Sequence, residues 1–264
     1  MDGPRYTHGH HESVLRSHTW RTVENSAAHL VPHLRAGLDV LDVGCGPGTI
    51  TADLAERVAP GRVIGIDRSA EVIERAAAQQ QGDGLEFRAA DLMDLPFDTN
   101  SFDVVHAHQV LQHVPDPIAA LVEMRRVCRP GGIVAARDSD YGAFAWAPED
   151  PQLDRWSDLY RAMARRNGGE PDAGRRLLGW VHAAGFTRVE PSGSVWCFAT
   201  PTEREWWGGM WADRMTGSAI AAQLQEAGLS SPEELADIAA AFRTWSAHPD
   251  GWFLVPHGEV IAFA

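Results

Sequence analysis

The chain has few cysteines, few positive charges and no long hydrophobic run, and each shortage narrows what it can be. Its three cysteines, Cys45, Cys128 and Cys197, form no CxxC pair. This argues against a disulfide framework and is typical of a reducing compartment. The segment 1–15 lacks the apolar core of a secretory leader, and no stretch reaches the length of a membrane span. We therefore expect a cytoplasmic protein without membrane insertion.

The shortage of positive charge also narrows the class of partner. Lys and Arg number 23 against 36 Asp and Glu, so the formal net charge is −13 at pH 7. Binding to nucleic-acid phosphates or to an anionic membrane surface requires clustered basic residues. We therefore expect no nucleic-acid partner, and we ascribe the acidity to solubility.

Length and composition are those of a soluble globular protein, with 264 residues, 44% hydrophobic and 22% charged. A chain of this length buries a sizeable core, as one large domain or as a domain with an insertion. Between residues 38 and 138, short apolar runs alternate with helical patterns, as in parallel α/β proteins. The predicted strands are Leu38–Val43, Arg62–Ile66, Leu85–Ala89, Phe102–Ala107 and Ile133–Arg137.

The pattern loosens after the fifth strand. Thr187–Thr200 and Trp252–Phe263 are predicted strands, and residues 201–248 between them are predicted to form a helical insertion. Thr202 with Glu205, and Ser231 with Glu234, have the capping-box spacing that marks helix starts. This divides the chain into an N-terminal helical segment at 1–37, a core at 38–200 and 249–264, and the insertion.

A glycine-rich turn follows the first predicted strand. Gly44, Gly46 and Gly48 have the spacing GxGxG, and Thr49 occupies the place of the last glycine in the dinucleotide-binding GxGxxG. A strand that turns sharply into a helix exposes backbone N–H groups, and glycine lets a ligand approach them closely. Asp67 ends the second strand, where a carboxylate can accept hydrogen bonds from ribose hydroxyls. The alternative is a plain tight turn with Asp67 as a helix cap.

Several ordered motifs accompany this turn across residues 38–138. They are Asp42-Val43-Gly44-Cys45-Gly46-Pro47-Gly48, Gly65-Ile66-Asp67, Ala90-Asp91-Leu92, Leu95-Pro96-Phe97, Ser101-Phe102-Asp103-Val104-Val105, Leu111-Gln112-His113-Val114-Pro115 and Arg129-Pro130-Gly131-Gly132. With these motifs the chain resembles the Rossmann-like (class I) S-adenosylmethionine-dependent methyltransferases, in the branch of ubiquinone and menaquinone C-methyltransferases. The resemblance implies a seven-stranded, mostly parallel sheet flanked by helices, with an N-terminal helical lid and the helical insertion before the last strand.

The resemblance also implies S-adenosyl-L-methionine as cofactor and S-adenosyl-L-homocysteine as product. Gly44 and Gly46 would pass under the methionyl end, and Asp42 would orient its amino group. Asp67 would hold the ribose, and Gln109 would face the methionyl group and the acceptor. The full set of implied cofactor residues is Tyr6, His10, Asp42, Gly44, Cys45, Gly46, Asp67, Arg68, Ala90, Asp91, Leu92 and Gln109.

The acceptor is expected to be a small organic molecule, methylated at carbon, oxygen or nitrogen in secondary metabolism or quinone-type biosynthesis. His113 is the candidate general base, needed only if the acceptor must lose a proton, and its alternative role is helix capping or packing. The candidate acceptor contacts are Tyr141, for which helix or loop solvation is the alternative, and Trp207 and Trp211, for which core or lid packing is the alternative. Residues 201–248 are expected to close over the acceptor, unless they form a homodimer interface instead.

Rival interpretations concern both the reaction and the ligand. The same fold could bind S-adenosylmethionine and catalyse another reaction, such as a cyclisation, or it could bind the cofactor as a regulator without catalysis. A nicotinamide-dependent oxidoreductase is disfavoured by the missing third glycine and by the Asp91 motif. His8, His10 and His11 lack the Cys, Asp or Glu partners of a closed zinc site, so no metal is expected.

Overall fold

The computed structural model describes residues 20–264, which form eight strands and nine α-helices. The strands are β1 Asp39–Val43, β2 Arg62–Asp67, β3 Leu85–Ala89, β4 Phe102–His108, β5 Cys128–Ser139, β6 Ala145–Ala147, β7 Arg188–Phe198 and β8 Trp252–Phe263. The helices are α1 Val23–Ser26, α2 Thr49–Val58, α3 Ala70–Gln79, α4 Pro117–Val127, α5 Pro151–Arg166, α6 Leu177–Ala183, α7 Pro201–Gly217, α8 Ala219–Glu226 and α9 Pro232–Ala247. None of the helices built from these residues has both the length and the hydropathy that crossing a bilayer demands.

The strands form a mixed sheet in the order β3-β2-β1-β4-β5-β8-β6, and β7 also pairs with β8. Strands β1 to β5 are parallel to one another, whereas β8 runs antiparallel to β5 and to β6. The predicted mostly parallel α/β sheet is confirmed. It has eight strands rather than seven because Ala145–Ala147 adds a strand, and three residues are too few to show an alternating pattern.

The contacts among the described residues divide them into two compact units. The sheet unit comprises residues 20–139, 173–194 and 257–264, and the helical unit comprises 140–172 and 195–256. Residues 201–248 form α7, α8 and α9 within the helical unit, which also includes α5. Sequence analysis did not predict α5, although Asp150 at its N-cap and Pro151 in its first turn were available signals.

The predicted start of α7 is wrong by two residues. Its capping box is formed by Thr200 and Glu203: the Thr200 hydroxyl accepts from the Glu203 N–H at 3.4 Å, and the Glu203 carboxylate accepts from the Thr200 N–H at 2.9 Å. Pro201 in the first turn has its φ already suited to a helix, which favours this start over one at Thr202. The start of α9 is confirmed, since the Ser231 hydroxyl accepts from the Glu234 N–H at 3.2 Å.

Both faces of the sheet are covered by hydrophobic side chains. Leu41, Val105 and Val134 belong to a cluster that includes the buried faces of α4 and α6. Alternate residues on the same strands, such as Val40 and Val104, pack in a second cluster that includes α1 and α2. This alternation is expected for a parallel sheet covered on both faces. The helical unit has its own core, which is rich in aromatic side chains.

A buried ion pair joins β5 to β8 within the sheet unit. The Arg137 side chain is 1% exposed, and its Nε donates to Glu259 Oε1 at 3.1 Å and to Ser194 Oγ at 3.0 Å. The Ser192 hydroxyl donates to the other Glu259 oxygen at 2.9 Å. Burial lowers the pKa of Arg137 to about 10, so the guanidinium stays charged at neutral pH and needs its carboxylate partner.

We expect Glu259→Gln to lower the free energy of unfolding by about 3–5 kcal/mol, because the buried guanidinium would lose its countercharge. Urea unfolding monitored by tryptophan fluorescence measures this loss. Ser192→Ala is the matched control, since it removes one hydrogen bond to the same carboxylate and should cost about 1 kcal/mol. Equal losses in the two variants would contradict a dominant role for the charge pair.

Candidate functional site

The turn between β1 and α2 keeps its backbone open because of its glycines. Gly44, Gly46 and Gly48 have φ values of 65°, 54° and 79°, a region that side chains disfavour. A Cβ on Gly44 would lie 2.5 Å from Val110 Cγ2, and one on Gly48 would lie 2.6 Å from Phe87 Cζ. The path of this turn therefore requires glycine at both ends.

The Asp67 carboxylate lies beside this turn at the end of β2. Its Oδ2 accepts from the Gly46 N–H at 3.3 Å, and its Oδ1 accepts from the Ser69 N–H at 3.0 Å. The residue is half-buried, and each carboxylate oxygen keeps a further lone pair for hydrogen bonding. Arg68, the next residue, is exposed. The carboxylate is thus fixed in orientation and retains acceptor capacity.

The Asp42 carboxylate is buried at the end of β1. Its Oδ2 accepts from Thr51 Oγ1 on α2 at 2.6 Å, and its Oδ1 is bonded to His106 Nδ1 on β4 at 2.7 Å. These bonds hold the residues on either side of the glycine turn. The predicted contact of Asp42 with a ligand amino group stays a prediction, and it would use the lone pairs that these two bonds leave.

The predicted residues after β3 form a short turn at the same edge of the sheet. The Ala90 N–H donates to the Asp67 carbonyl at 3.0 Å, which joins the two strand ends. Asp91 is exposed, and its Oδ1 accepts from the Met93 N–H at 2.9 Å. Leu92 is only 8% exposed and belongs to the hydrophobic core of the sheet unit. The structure therefore brings Asp67 and this turn together.

Gln109 follows β4 in a backbone conformation that is unusual for its residue type. Its φ is 53°, and its N–H donates to the Arg137 carbonyl at 2.7 Å. Its side chain accepts from Arg21 Nη2 at 2.7 Å, and its Nε2 lies 2.9 Å from His257 Nε2. Non-glycine residues in the left-handed region are concentrated at functional sites, where the surroundings hold them. Gln109 is held from three sides.

The candidate base His113 lies in the 3-10 turn Leu111–His113 after β4. Ser139 Oγ donates to Gln112 Oε1 at 2.6 Å, and Gln112 Nε2 lies 3.0 Å from His113 Nε2. Burial, together with the charge of Arg21, lowers the pKa of His113 to about 3. A neutral imidazole of such low basicity is a weak proton acceptor. The role of His113 as a base stays a prediction, and the geometry favours a structural part.

The thiol of Cys45, in the glycine turn, has low reactivity. Burial raises the pKa of Cys45 well above its ordinary value, and the nearby Asp42 and Asp67 carboxylates add to the effect. Burial also raises the pKa of Cys128 to about 12. Cys197, on β7, is exposed. Cys45 can therefore contribute backbone and packing to the turn but little thiolate at neutral pH.

The candidate acceptor contacts Tyr141, Trp207 and Trp211 all lie in the core of the helical unit. The Trp207 ring stacks on Phe198 with centroids 4.3 Å apart, and Trp211 meets the Trp156 ring edge to face at 4.5 Å. Their burial is explained by this packing. Direct contact with an acceptor stays a prediction for these three residues and would require the aromatic core to open.

Two predicted cofactor residues, Tyr6 and His10, lie outside the described residues, as do His8 and His11. Within residues 20–264, no group of His, Cys, Asp and Glu side chains has the arrangement of a metal site. Sequence analysis did not single out His257 and Glu259. The available signal was two ionisable residues at alternate positions of a strand whose other residues are mostly apolar.

Asp138 is a fully buried carboxyl group at the end of β5. Its Oδ1 accepts from the Gln112 N–H at 3.1 Å, and Oδ2 has no hydrogen-bond partner among the described residues. Burial raises its pKa to about 7, against the opposing effects of the Gln112 and Leu111 N–H groups and of the Arg137 and Arg21 charges. Folding therefore favours the protonated form of this side chain.

We expect wild type to lose stability relative to Asp138→Asn as the pH rises from 3.8 to about 7. In this interval the folded protein binds a proton that the unfolded chain has released, so the difference changes by up to about 1.4 kcal/mol per pH unit. Urea unfolding of both proteins across the interval measures it. Asp98→Asn, at an exposed position, should run parallel to wild type, and a pH-independent difference for Asp138→Asn would contradict the assignment.

Comparison with known proteins bears on this edge of the sheet. Residues 41–136, which include the glycine turn, Asp67 and Gln109, match a family described as "Methyltransferase domain". An uncharacterized methyltransferase of Schizosaccharomyces pombe is 32% identical over 269 residues, covering 97% of this chain and 95% of that protein. The demethylmenaquinone methyltransferase of Lactococcus lactis is 40% identical over 109 residues, covering 40% of this chain and 43% of that protein.

The fold also has solved counterparts. Phosphoethanolamine N-methyltransferase 2 of Haemonchus contortus, determined in complex with S-adenosyl-L-methionine, superimposes with a TM-score of 0.59 at 13% identity. The match covers 96% of this chain and 57% of that one. An identity this low supports the fold alone, whereas the full-length fission-yeast relative supports the family. The chain therefore belongs to the Rossmann-like, S-adenosylmethionine-dependent methyltransferases.

Proposed function

We propose that this methyltransferase binds S-adenosyl-L-methionine at the carboxyl edge of β1, β2, β3 and β4 and methylates a small organic molecule, leaving S-adenosyl-L-homocysteine. The observation that carries the proposal is the glycine turn with the Asp67 carboxylate hydrogen-bonded to it. Open α/β sheets bind ligands at this edge, where the strands end. The register supports the location, since Val43 pairs with Ile66 and with Ala107, and Asp67 pairs with Ala89.

The residues fit the cofactor. Gly44 and Gly46 would let the methionyl end approach the backbone closely, because neither presents a side chain to it. Asp67 would accept hydrogen bonds from the ribose hydroxyls with lone pairs that Gly46 and Ser69 leave unused. These are the groups that a nucleoside with an amino-acid tail requires.

The adenine end would be bound by the turn after β3. The ring would pack against the small exposed part of Leu92, and the exposed Asp91 carboxylate can accept from its amino group. Ala90 and Arg68 would flank the ring, and Cys45 would pack beside the turn as an uncharged thiol. Within this proposal, the residues that follow β1, β2 and β3 bind the cofactor, and Gln109, which follows β4, helps to orient it.

Bound S-adenosylmethionine supplies a methyl group that its sulfonium already activates, so the protein contributes mainly position. Asp42, through Thr51 and His106, holds the strand end that precedes the turn. Gln109 would face the methionyl group and the acceptor from its restrained position. A proton acceptor is needed only for acceptors that must lose a proton, and we propose His113 for that part only if such an acceptor is found.

The acceptor class follows from charge and from the relatives. A chain with a formal net charge of −13 is poorly suited to nucleic-acid acceptors. A relative that is 40% identical over 109 residues is named demethylmenaquinone methyltransferase, after a quinone acceptor. We therefore propose a small acceptor of quinone-type or secondary metabolism. We propose further that the helical unit, with its aromatic core, contains the residues that select it.

We expect Asp67→Ala to weaken binding of S-adenosylhomocysteine by about 1.5–3 kcal/mol, the scale of hydrogen bonds to a charged group. Asp67→Asn should lose less, because one acceptor oxygen remains. Isothermal titration calorimetry measures both affinities, with Asp83→Ala as the control at an exposed position before β3. The ribose assignment fails if Asp67→Ala binds as tightly as wild type.

Transfer of a labelled methyl group tests the reaction itself. We expect wild type, given S-adenosylmethionine labelled in the methyl group, to label one class among phenols, quinols, amines and activated carbon acids. His113→Ala should reduce this turnover by about 10²-fold if the acceptor loses its proton to that ring, and otherwise should leave it near wild type. Label recovered only in nucleic acid or protein would overturn the small-acceptor proposal.

A further inference from the structure

The side chain of Gln109 is oriented by two residues that are distant in the sequence. Arg21 Nη2 donates to Gln109 Oε1 at 2.7 Å, and Gln109 Nε2 lies 2.9 Å from His257 Nε2 on β8. All three residues belong to the sheet unit. They connect the segment before α1, the end of β4 and the beginning of the β8 segment that pairs with β5.

Donor chemistry determines the direction of both bonds. A guanidinium has only N–H donors, so the amide atom that it meets must be the oxygen of Gln109. The other end of the amide is then the NH₂ group, which can only donate. His257 Nε2 must therefore accept, and the neutral ring must hold its proton on Nδ1. The guanidinium thus determines which end of the Gln109 amide is oxygen and which is nitrogen.

The hydrogen bonds to the Gln109 side chain matter because the backbone of Gln109 is restrained and lies next to the glycine turn. A residue other than glycine at a φ of 53° is held there by its surroundings. The next residue, Val110, contacts the glycine turn so closely that a Cβ on Gly44 would lie 2.5 Å from its Cγ2. Any shift of the segment 109–110 is therefore transmitted to the turn that is proposed to bind the cofactor.

We propose that His257 is a positioning residue of the cofactor site, which acts by accepting a hydrogen bond from Gln109 Nε2 through an unprotonated Nε2. This inference rests on the proposed function, since Gln109 is placed there beside the methionyl group. The site thus includes the last strand of the sheet in addition to the β1–β4 edge. Arg21 completes the arrangement by holding the amide oxygen.

Other basic side chains lie close to His257. Its ring stacks with His108 on β4 at 6.2 Å between centroids. Arg21 lies on the other side of Gln109, Arg137 on β5 is buried nearby, and Glu259 on β8 is engaged by Arg137 and by two serines. Burial, followed by the charges of Arg21 and Arg137, lowers the pKa of the neighbouring His108 well below its ordinary value. The region therefore disfavours additional positive charge.

Two substitutions separate positioning from packing. The side-chain oxygen of His257→Gln can take the place of Nε2 as acceptor, whereas His257→Leu fills the space without an acceptor. We expect His257→Leu to weaken binding of S-adenosylhomocysteine about tenfold, since the Gln109 N–H loses its partner, and His257→Gln to stay within about threefold of wild type. A packing role predicts the opposite order, with His257→Leu the better of the two. His182→Leu, at an exposed histidine of the same unit, is the matched control.

Coupling to Gln109 is the second measurement. In a Gln109→Ala background the effect of His257→Leu should vanish, because its hydrogen-bond partner is already gone. On wild type itself, long-range proton–nitrogen NMR at neutral pH should show His257 with Nε2 unprotonated and Nδ1 protonated. This measurement keeps the inference testable if His257→Leu does not fold.

These experiments distinguish a failure of the proposed function from a failure of the inference about His257. Wild type that fails to bind S-adenosylhomocysteine would overturn the proposed function. Wild type that binds it, while His257→Leu binds equally well or His257 has a protonated Nε2, would overturn the inference alone. The inference is supported if His257→Gln binds S-adenosylhomocysteine nearly as tightly as wild type and if His257→Leu has no further effect in the Gln109→Ala background.

Discussion

The candidate site depends on the hydrogen bonds of the buried Asp42 carboxylate. Asp42 is 3% exposed and is hydrogen-bonded to Thr51 on α2 and to His106 on β4, so one side chain joins two adjacent strands and a helix. The glycine turn runs between the strand that carries Asp42 and the helix that carries Thr51. A buried carboxylate is tolerated only where donors satisfy it. The strand, the helix and the adjacent strand must therefore meet at one geometry, and this geometry leaves the turn open at the edge of the sheet.

Much of the sheet unit was predictable because its signals are local. The strands β1 to β4 are short segments rich in apolar residues, and the turn at Gly44–Gly48 needs φ values that glycine permits. What could not be predicted depends on partners far apart along the chain. The Arg137–Glu259 pair and the His257–Gln109 contact each join residues more than a hundred positions apart, and no local pattern encodes such a pairing. The capping box was misplaced because Thr200 and Thr202 both have a Glu three residues later, and only Pro201 discriminates between them.

The basic side chains that orient polar groups in the sheet unit are all arginines. The chain contains no lysine, so all 23 of its basic Lys and Arg positions are arginine. A guanidinium donates in a fixed planar geometry and does not lose its proton in the physiological range. Arg137 therefore determines the orientation of Glu259, and Arg21 determines that of the Gln109 amide. Directional donors of this kind can orient polar side chains around a site without losing their own charge near neutral pH.

The core of the helical unit is held together mainly by the packing of aromatic rings rather than by buried ion pairs. Trp156 contacts Trp211 and Phe242 edge to face at 4.5 and 5.1 Å, so its fully buried indole is held by aromatic faces. Such a core provides shape with few polar constraints.

The distribution of the three thiols gives the chain one natural attachment point. Cys45 and Cys128 are buried with raised pKa values, whereas Cys197 is exposed on β7. Maleimide reagents react with accessible thiolates, so a fluorophore or spin label will attach at Cys197 in the native protein without any engineered cysteine. The label will stand in the helical unit, beside Trp196 and Phe198 of its aromatic core. The environment of that label can therefore be followed during ligand binding while the glycine turn remains chemically unmodified.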